Sequence, residues 1–108
     1  MSMTEISPPE AAELLSGSPD DYLLVDVREP VELQIASLSN AVHIPMGNIP
    51  ERLDELDREK TIICLCKSGG RSAQVGHYLV QQGFEKVVNL TGGINAWSEQ
   101  VDESVPLY

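Results

Sequence analysis

Two continuous apolar runs constrain the fold of this chain more than any other feature of its sequence. Residues 22–27 are apolar up to Asp26, and residues 61–65 contain no charged side chain. A strand with one face in water alternates apolar and polar residues, whereas a strand covered on both faces is apolar throughout. The two runs therefore predict strands of a parallel sheet that is covered on both sides.

Helical segments alternate with these strands. A serine followed by two prolines and Glu10 has the pattern of a capped helix start. Apolar spacing and turn residues predict helices over residues 8–15, 31–35, 47–58, 72–82 and 95–99, and further strands over residues 41–44 and 86–90. Strands that alternate with helices indicate βα units joined by right-handed crossovers, which is an α/β fold.

The length and the charge of the chain limit what it can be. Its 108 residues can fill one hydrophobic core and not two, so we predict a single domain over residues 1–108. Acidic residues outnumber basic ones by 17 to 7, and the net charge of −10 repels nucleic acids and anionic membranes. We therefore expect neither a nucleic acid nor a membrane among its partners.

The predicted compartment is the cytoplasm. The N-terminal residues have neither a basic region nor an apolar stretch, and no later segment approaches the roughly 18 apolar residues of a membrane span. The chain has only two cysteines, Cys64 and Cys66, which lie too close together for an unstrained disulfide along a strand. Two unpaired thiols fit a reducing environment.

The loop after residues 61–65 carries the strongest functional signal. It consists of Cys66, Lys67, Ser68, Gly69, Gly70 and Arg71. Ligands of open α/β sheets bind beyond the carboxyl ends of the strands, and adjacent glycines let backbone N–H groups turn towards an anion. Helix N-termini and nearby cations lower a cysteine pKa from about 8.5 to about 3.5–7.5. We therefore predict that Cys66 is a nucleophilic thiolate. A buried structural cysteine beside a tight turn is the alternative interpretation.

Three motifs resemble those of a single-domain rhodanese, a sulfurtransferase homology domain. Residues 24–29 read Leu-Val-Asp-Val-Arg-Glu, residues 66–71 match the active-site loop, and residues 90–97 read Leu-Thr-Gly-Gly-Ile-Asn-Ala-Trp. The resemblance spans nearly the whole chain. It implies a three-layer α/β/α fold around a central, mainly parallel five-stranded sheet.

The resemblance also implies an activity. Cys66 would take a sulfane sulfur from a donor such as thiosulfate, carry it as a persulfide and pass it to cyanide or a thiol. Lys67 and Arg71 would attract the small anionic donor. Backbone amides for the thiolate and the persulfide would come from Ser68, Gly69 and Gly70. The reaction needs no metal or organic cofactor, and a sulfur-carrier protein is a further candidate partner.

Other residues of the motifs are expected to support the site. We predict that Asp26 and Arg28 anchor neighbouring loops rather than take part in catalysis. Residues 36–41 read Ala-Ser-Leu-Ser-Asn-Ala where relatives commonly read Gly-His-Ile-Pro-Gly-Ala. Lys67 stands where arginine is frequent, which keeps the charge but loses the bidentate fork for an oxyanion.

Two alternatives to sulfur transfer remain at this point. Cysteine phosphatases and arsenate reductases place five residues between cysteine and arginine, whereas four separate Cys66 from Arg71, and Ser72 occupies their arginine position. The shorter loop favours a sulfur atom over a tetrahedral phosphate. A non-catalytic rhodanese-like binding module is the second alternative, and the presence of Cys66 argues against it. Cys64 is interpreted as a packed core thiol.

Overall fold

The computed structural model describes residues 3–108 and has one parallel sheet between helices. Its strands are β1 (Thr4–Ile6), β2 (Tyr22–Asp26), β3 (Val42–His43), β4 (Thr61–Leu65) and β5 (Val87–Leu90). Its helices are α1 (Pro8–Gly17), α2 (Pro30–Leu33), α3 (Gly70–Gln81) and α4 (Gly93–Gln100). The strand order is β1-β5-β4-β2-β3, and every pairing is parallel. The loop after β4 therefore leaves the middle of the sheet.

The two faces of the sheet bury separate halves of the hydrophobic core. On one face, Ile62 and Cys64 belong to a cluster that includes buried residues of α3. On the other, Ile63 and Leu65 pack with buried residues of α1 and α4. All four are 0% exposed, which explains the unbroken apolar run in β4, and each large aliphatic side chain contributes about 1.5–3 kcal/mol. The predicted three-layer α/β fold is confirmed.

The first helix forms as its sequence predicts. The backbone N–H of Glu10 donates to Ser7 Oγ at 3.3 Å, and the backbone N–H of Ser7 donates to Glu10 Oε1 at 3.2 Å. This reciprocal pair satisfies N–H groups that have no partner in the first turn of a helix. The helix continues two residues beyond the predicted end, to Gly17.

One strand was not predicted from the residue pattern. β1 pairs with β5 at the edge of the sheet, with Thr4 opposite Val88 and Ile6 opposite Leu90. It has three residues, two of them exposed, so it lacks the apolar signal of a buried strand. Only the backbone hydrogen bonds with β5 define it.

The predicted helix over residues 47–58 is wrong. The segment forms short 3-10 turns at Met46–Asn48 and Pro50–Glu55, with Arg52 outside helical dihedral angles. Pro50 lacks the N–H that a continuous α-helix needs at that position. The apolar spacing still has a structural cause, because Ile49 is 1% exposed and Leu56 is 4% exposed.

A buried ion pair connects the end of β2 to the following loop. Arg28 and Asp26 are 0% and 1% exposed, and Arg28 donates to the Asp26 carboxylate through Nε at 2.9 Å and Nη2 at 2.7 Å. Nη2 also donates to the carbonyl of Ala36 at 2.8 Å. Ala36 begins the segment that departs from the rhodanese pattern. The geometry fits the anchoring role that we predict for Asp26 and Arg28.

Candidate active site

Cys66 lies at the carboxyl end of β4, where the chain turns into α3. The residue is 1% exposed, so its sulfur is almost fully removed from water. Sγ accepts a hydrogen bond from the backbone N–H of Gly69 at 3.0 Å, and Ser72 Oγ lies 3.3 Å from it. A charged sulfur in this position depends on the protein for solvation.

The two cysteines have opposite electrostatic environments. Burial raises the pKa of Cys66, but hydrogen bonds from the side chain of Ser72 and from the backbone N–H groups of Ser72, Gly69 and Ser68 outweigh it, so the net pKa is lowered. Burial and the neighbouring charge of Cys66 raise the pKa of Cys64 to about 12. The geometry therefore favours a thiolate at Cys66 and a neutral thiol at Cys64.

Gly69 can direct its N–H to the sulfur because of its backbone conformation. Its φ is +111°, in the left-handed region that favours glycine. It is also the N-cap of α3, so the sulfur lies at the positive end of the helix dipole. Any other residue at this position would strain the turn that brings the N–H group to Cys66.

The start of α4 holds the loop from the other side. The backbone N–H of Ile94 donates to the carbonyl of Cys66 at 2.8 Å, and that of Asn95 donates to the carbonyl of Lys67 at 3.2 Å. Gly93 allows this contact: its φ is +65°, and a Cβ atom there would lie 2.4 Å from the carbonyl oxygen of Cys66. With the carbonyls bound by α4, loop N–H groups are left for the sulfur.

A second network surrounds the cations near the thiolate. Arg71 donates to both carboxylate oxygens of Glu32, at 2.6 and 2.8 Å. The hydroxyl of Tyr108 donates to Glu32 at 2.6 Å and accepts from Nη1 of Arg28 at 2.8 Å. Hydrogen bonding to Arg71 holds the pKa of Glu32 well below its usual range, so this carboxylate stays charged. Glu32 thus orients Arg71 and offsets its charge.

Lys67 differs from Arg71 in its surroundings. Its Nζ lies 5.0 Å from the ring centroid of Tyr108, within the range of a cation–π contact. Among residues 3–108, the ion pairs are Arg28–Asp26, Arg52–Glu55 and Arg71–Glu32, so Lys67, next to Cys66 in the chain, forms no ion pair with a carboxylate there.

Comparison with known proteins now identifies the family. A family model for the rhodanese-like domain matches residues 7–100. The chain belongs to this family. A putative sulfurtransferase of Bacillus subtilis, YtwF, is 43% identical over 97 residues, covering 90% of this chain and 92% of that protein. A rhodanese-related protein from Thermoplasma volcanium has a TM-score of 0.83 and 32% identity, covering 97% of this chain and 99% of that one.

A plant relative is longer. The Arabidopsis thaliana protein named rhodanese-like/PpiC domain-containing protein 12, chloroplastic, is 46% identical over 93 residues. The match covers 82% of this chain but 31% of that protein. The similarity therefore concerns its rhodanese-like part.

The structure places the predicted site residues at one end of the sheet. Cys66, Lys67 and Ser68 form the loop, Gly69 caps α3, and Gly70 is the first residue of that helix. Arg71 follows in the first turn and contacts Glu32. Ser68 is exposed, whereas Cys66 is buried.

Three residues at the rhodanese-like site were missed by sequence reasoning: Ser72, Glu32 and Tyr108. Ser72 was noted only as the residue in the phosphatase arginine position, although a hydroxyl at the start of a helix after the loop could have suggested a donor. Glu32 and Tyr108 are 76 positions apart and had no local signal. His43 and His77 lie outside these contacts: His43 Nε2 is 2.6 Å from the carbonyl oxygen of Arg28, and His77 is exposed.

No group of three or more His, Cys, Asp or Glu side chains among residues 3–108 could hold a metal ion. No helix in the same range combines the length and the apolar character needed to cross a bilayer.

Alkylation should distinguish the two cysteines by their pKa values. Because iodoacetamide reacts with thiolates, the labelling rate of Cys66 should reach half its maximum at a pH below the ordinary cysteine value of about 8.5. Cys64, with a pKa of about 12, should stay unlabelled in the folded protein. Mass spectrometry of the labelled peptide over a pH series gives both results. Cys64→Ala should keep the profile, and a Cys66 midpoint at or above that of free cysteine would contradict the lowered pKa.

Gly93→Ala should damage both the fold and the thiolate. The added Cβ meets the backbone of Cys66 and requires a left-handed conformation, which alone costs about 1–3 kcal/mol in free energy of unfolding. Urea unfolding measures the loss, and alkylation should show a higher pKa for Cys66. Gly47→Ala is the matched control, because a Cβ there meets nothing within 4 Å. Equal stability of the two variants would refute the packing argument.

Proposed function

We propose that this rhodanese-like protein is a sulfurtransferase that moves a sulfane sulfur from a donor such as thiosulfate to cyanide or a thiol through a Cys66 persulfide. The observation that carries the proposal is the buried Cys66 sulfur with the Gly69 N–H at 3.0 Å. The name of the Bacillus relative supports sulfur transfer in general. The donor and acceptor are those that the resemblance to rhodanese implies, and the charges of the loop are compatible with them.

The reaction requires two displacements at sulfur. The Cys66 thiolate attacks the outer sulfur of thiosulfate, the S–S bond of thiosulfate breaks, and sulfite leaves with the bonding electron pair. The enzyme then carries Cys66–S–S⁻. Cyanide attacks the terminal sulfur, forms thiocyanate and returns the electron pair to Cys66 as thiolate. No net oxidation, proton transfer or cofactor is required in either step.

The loop N–H groups and the cations have different tasks in this scheme. The N–H groups of Gly69, Ser68 and Ser72 stabilise negative charge on sulfur without having to reorganise. Arg71 uses one N–H of each Nη atom on Glu32, and its guanidinium carries further donors for an oxyanion. Lys67 supplies the attraction for the donor, because no carboxylate among residues 3–108 offsets its charge.

We also propose an acceptor and a compartment for the reaction. A small thiol or a cysteine thiolate of a sulfur-carrier protein could take the sulfur, since each can attack the terminal sulfur of the persulfide and return the electron pair to Cys66. Both cysteines are free, and Cys66 must stay reduced between turnovers. These features support the proposal that the reaction takes place in a reducing compartment, the cytoplasm.

A persulfide assay tests the proposed activity directly. Incubation with thiosulfate should add about 32 mass units, one sulfur atom, to the peptide that contains Cys66. Cys66→Ser should lose this adduct and the formation of thiocyanate from cyanide, whereas Cys64→Ala should retain both. Intact and peptide mass spectrometry, with colorimetric detection of thiocyanate, provide the measurements.

The same samples discriminate the alternatives. Hydrolysis of an aryl phosphate or reduction of arsenate, without sulfur transfer, would replace the proposal with a phosphatase or reductase. A protein with a reactive thiolate but no turnover of any substrate would be a binding module. Four residues between Cys66 and Arg71, and Ser72 in the phosphatase arginine position, lead us to expect sulfur transfer alone.

Lys67 should govern affinity for the anionic donor. In Lys67→Gln the KM for thiosulfate should rise about threefold to fivefold, as expected for up to about 1 kcal/mol of lost attraction, with kcat little changed. Steady-state kinetics at low ionic strength measures the change, because salt screens such interactions. Lys86→Gln removes the same charge from an exposed position whose Nζ contacts the carbonyl of Glu59. An equal rise in KM in both variants would contradict a specific role of Lys67 and would show that only the net charge of the protein affects the KM for thiosulfate.

A further inference from the structure

The hydroxyl of Ser72 has more hydrogen-bond acceptors nearby than it can donate to. A serine hydroxyl has one hydrogen to donate. Three acceptors surround Ser72 Oγ: Cys66 Sγ at 3.3 Å, the carbonyl of Gly69 at 3.3 Å and Oδ1 of Asn89 at 2.5 Å. Asn89 is the nearest by a wide margin. Two oxygens this close need a hydrogen between them, so the hydroxyl donates mainly to Asn89 and only weakly to Cys66.

Neighbouring groups fix the orientation of the Asn89 amide. Its Nδ2 lies 3.2 Å from both carboxylate oxygens of Glu5 and 3.1 Å from the carbonyl oxygen of Gly69. All three are acceptors, and a reversed amide would place Oδ1 against them. Asn89 is 2% exposed, so no bulk water would compensate for that arrangement. Oδ1 must therefore face Ser72.

We propose that Asn89 is a positioning residue that competes with Cys66 for the hydroxyl hydrogen of Ser72 and thereby keeps the thiolate strongly nucleophilic. The inference rests on the proposed role of Cys66 as nucleophile. A thiolate with fewer donors is more basic, and the intrinsic nucleophilicity of sulfur rises with its basicity. Backbone N–H groups keep the thiolate ionised, while Asn89 prevents the additional donor from weakening its attack.

The other ionisable groups around the sulfur come from neighbouring elements. Arg71 at the start of α3 and Cys64 on β4 both interact electrostatically with Cys66. Glu5 on β1 is connected to the loop through Asn89. The Nδ2 atom of Asn89 lies within hydrogen-bond distance of the Glu5 carboxylate and of the Gly69 carbonyl. Within the described residues, none of these groups accepts the Ser72 hydrogen. Substitution of Asn89 or Ser72 removes none of these three ionisable groups.

Asn89→Leu tests the competition, because it replaces the amide acceptor with an apolar side chain of similar size. The Ser72 hydrogen then becomes free for Cys66, and the pKa of Cys66 should fall by about one unit, as for a gained hydrogen bond to a charged group. The plateau alkylation rate at high pH should fall about twofold to threefold. Gly69 keeps the N–H of Ala73 at 3.1 Å, so its carbonyl stays paired.

A double-mutant cycle separates this effect from general damage. Ser72→Ala should raise the pKa of Cys66 only slightly, because the hydroxyl donates mainly to Asn89. In the Ser72→Ala background, Asn89→Leu should have no further effect, because no hydrogen remains to compete for. Asn89→Ala repeats the test with a smaller side chain in case leucine impairs folding, which thermal unfolding reports. Thr91→Val is the control: it removes the 3.0 Å contact with Glu5 and should leave the thiol pKa unchanged.

The outcomes decide the proposal without reference to turnover. A higher or unchanged Cys66 pKa in folded Asn89→Leu and Asn89→Ala, or an equal shift with and without the Ser72 hydroxyl, would overturn it. All measurements use the resting protein and iodoacetamide, with no sulfur donor. If the cycle holds and no persulfide forms with thiosulfate, sulfur transfer fails and the competition stands. If persulfide forms and the cycle fails, the competition at Ser72 is wrong and sulfur transfer stands.

Discussion

The hydrogen bonds from the start of α4 to the carbonyls of Cys66 and Lys67 are the constraint on which the site depends. A loop that leaves a strand has both carbonyl and N–H groups to satisfy, and an anion is stabilised only if the N–H groups face it. The contact with α4 binds the carbonyls, and the left-handed Gly69 turns its N–H towards the sulfur. Gly69 and Gly93 belong to separate sequence motifs, and together they leave the loop N–H groups facing the sulfur.

The hydrogen-bond donors around Cys66 affect both the stability of its thiolate and the reactivity of that thiolate. Burial opposes charge on Cys66, and the surrounding donors outweigh burial. Every further donor would make the thiolate more abundant at low pH but less reactive once formed. The close contact between Ser72 and Asn89 weakens one of the hydrogen bonds to the sulfur. The backbone N–H groups around Cys66 cannot rotate. Among the donors to its sulfur, the Ser72 hydroxyl is the one that can change its direction.

The cations near the loop are also subject to competition. On a chain with a net charge of −10, an isolated positive pocket would attract carboxylates of the protein itself. Arg71 is bound by Glu32, and Tyr108 connects that carboxylate to the buried Arg28–Asp26 pair. The network fixes Arg71 in place at the expense of its net charge. Lys67, packed near an aromatic ring rather than a carboxylate, retains its charge for an incoming anion.

The sequence by itself determined the features that depend on local physics. Apolar runs specify β2 and β4, the serine and Glu10 specify the start of α1, and the glycines after Cys66 predict an anion-binding turn. The same local rules failed where pairing or backbone chemistry decides the structure, as in the polar edge strand β1 and the proline-interrupted turns before β4. The tertiary structure alone brought Tyr108 to Glu32, Glu32 to Arg71 and Asn89 to Ser72. Those contacts join residues 76, 39 and 17 positions apart, and no propensity or periodicity encodes which distant side chains will meet at one end of a sheet.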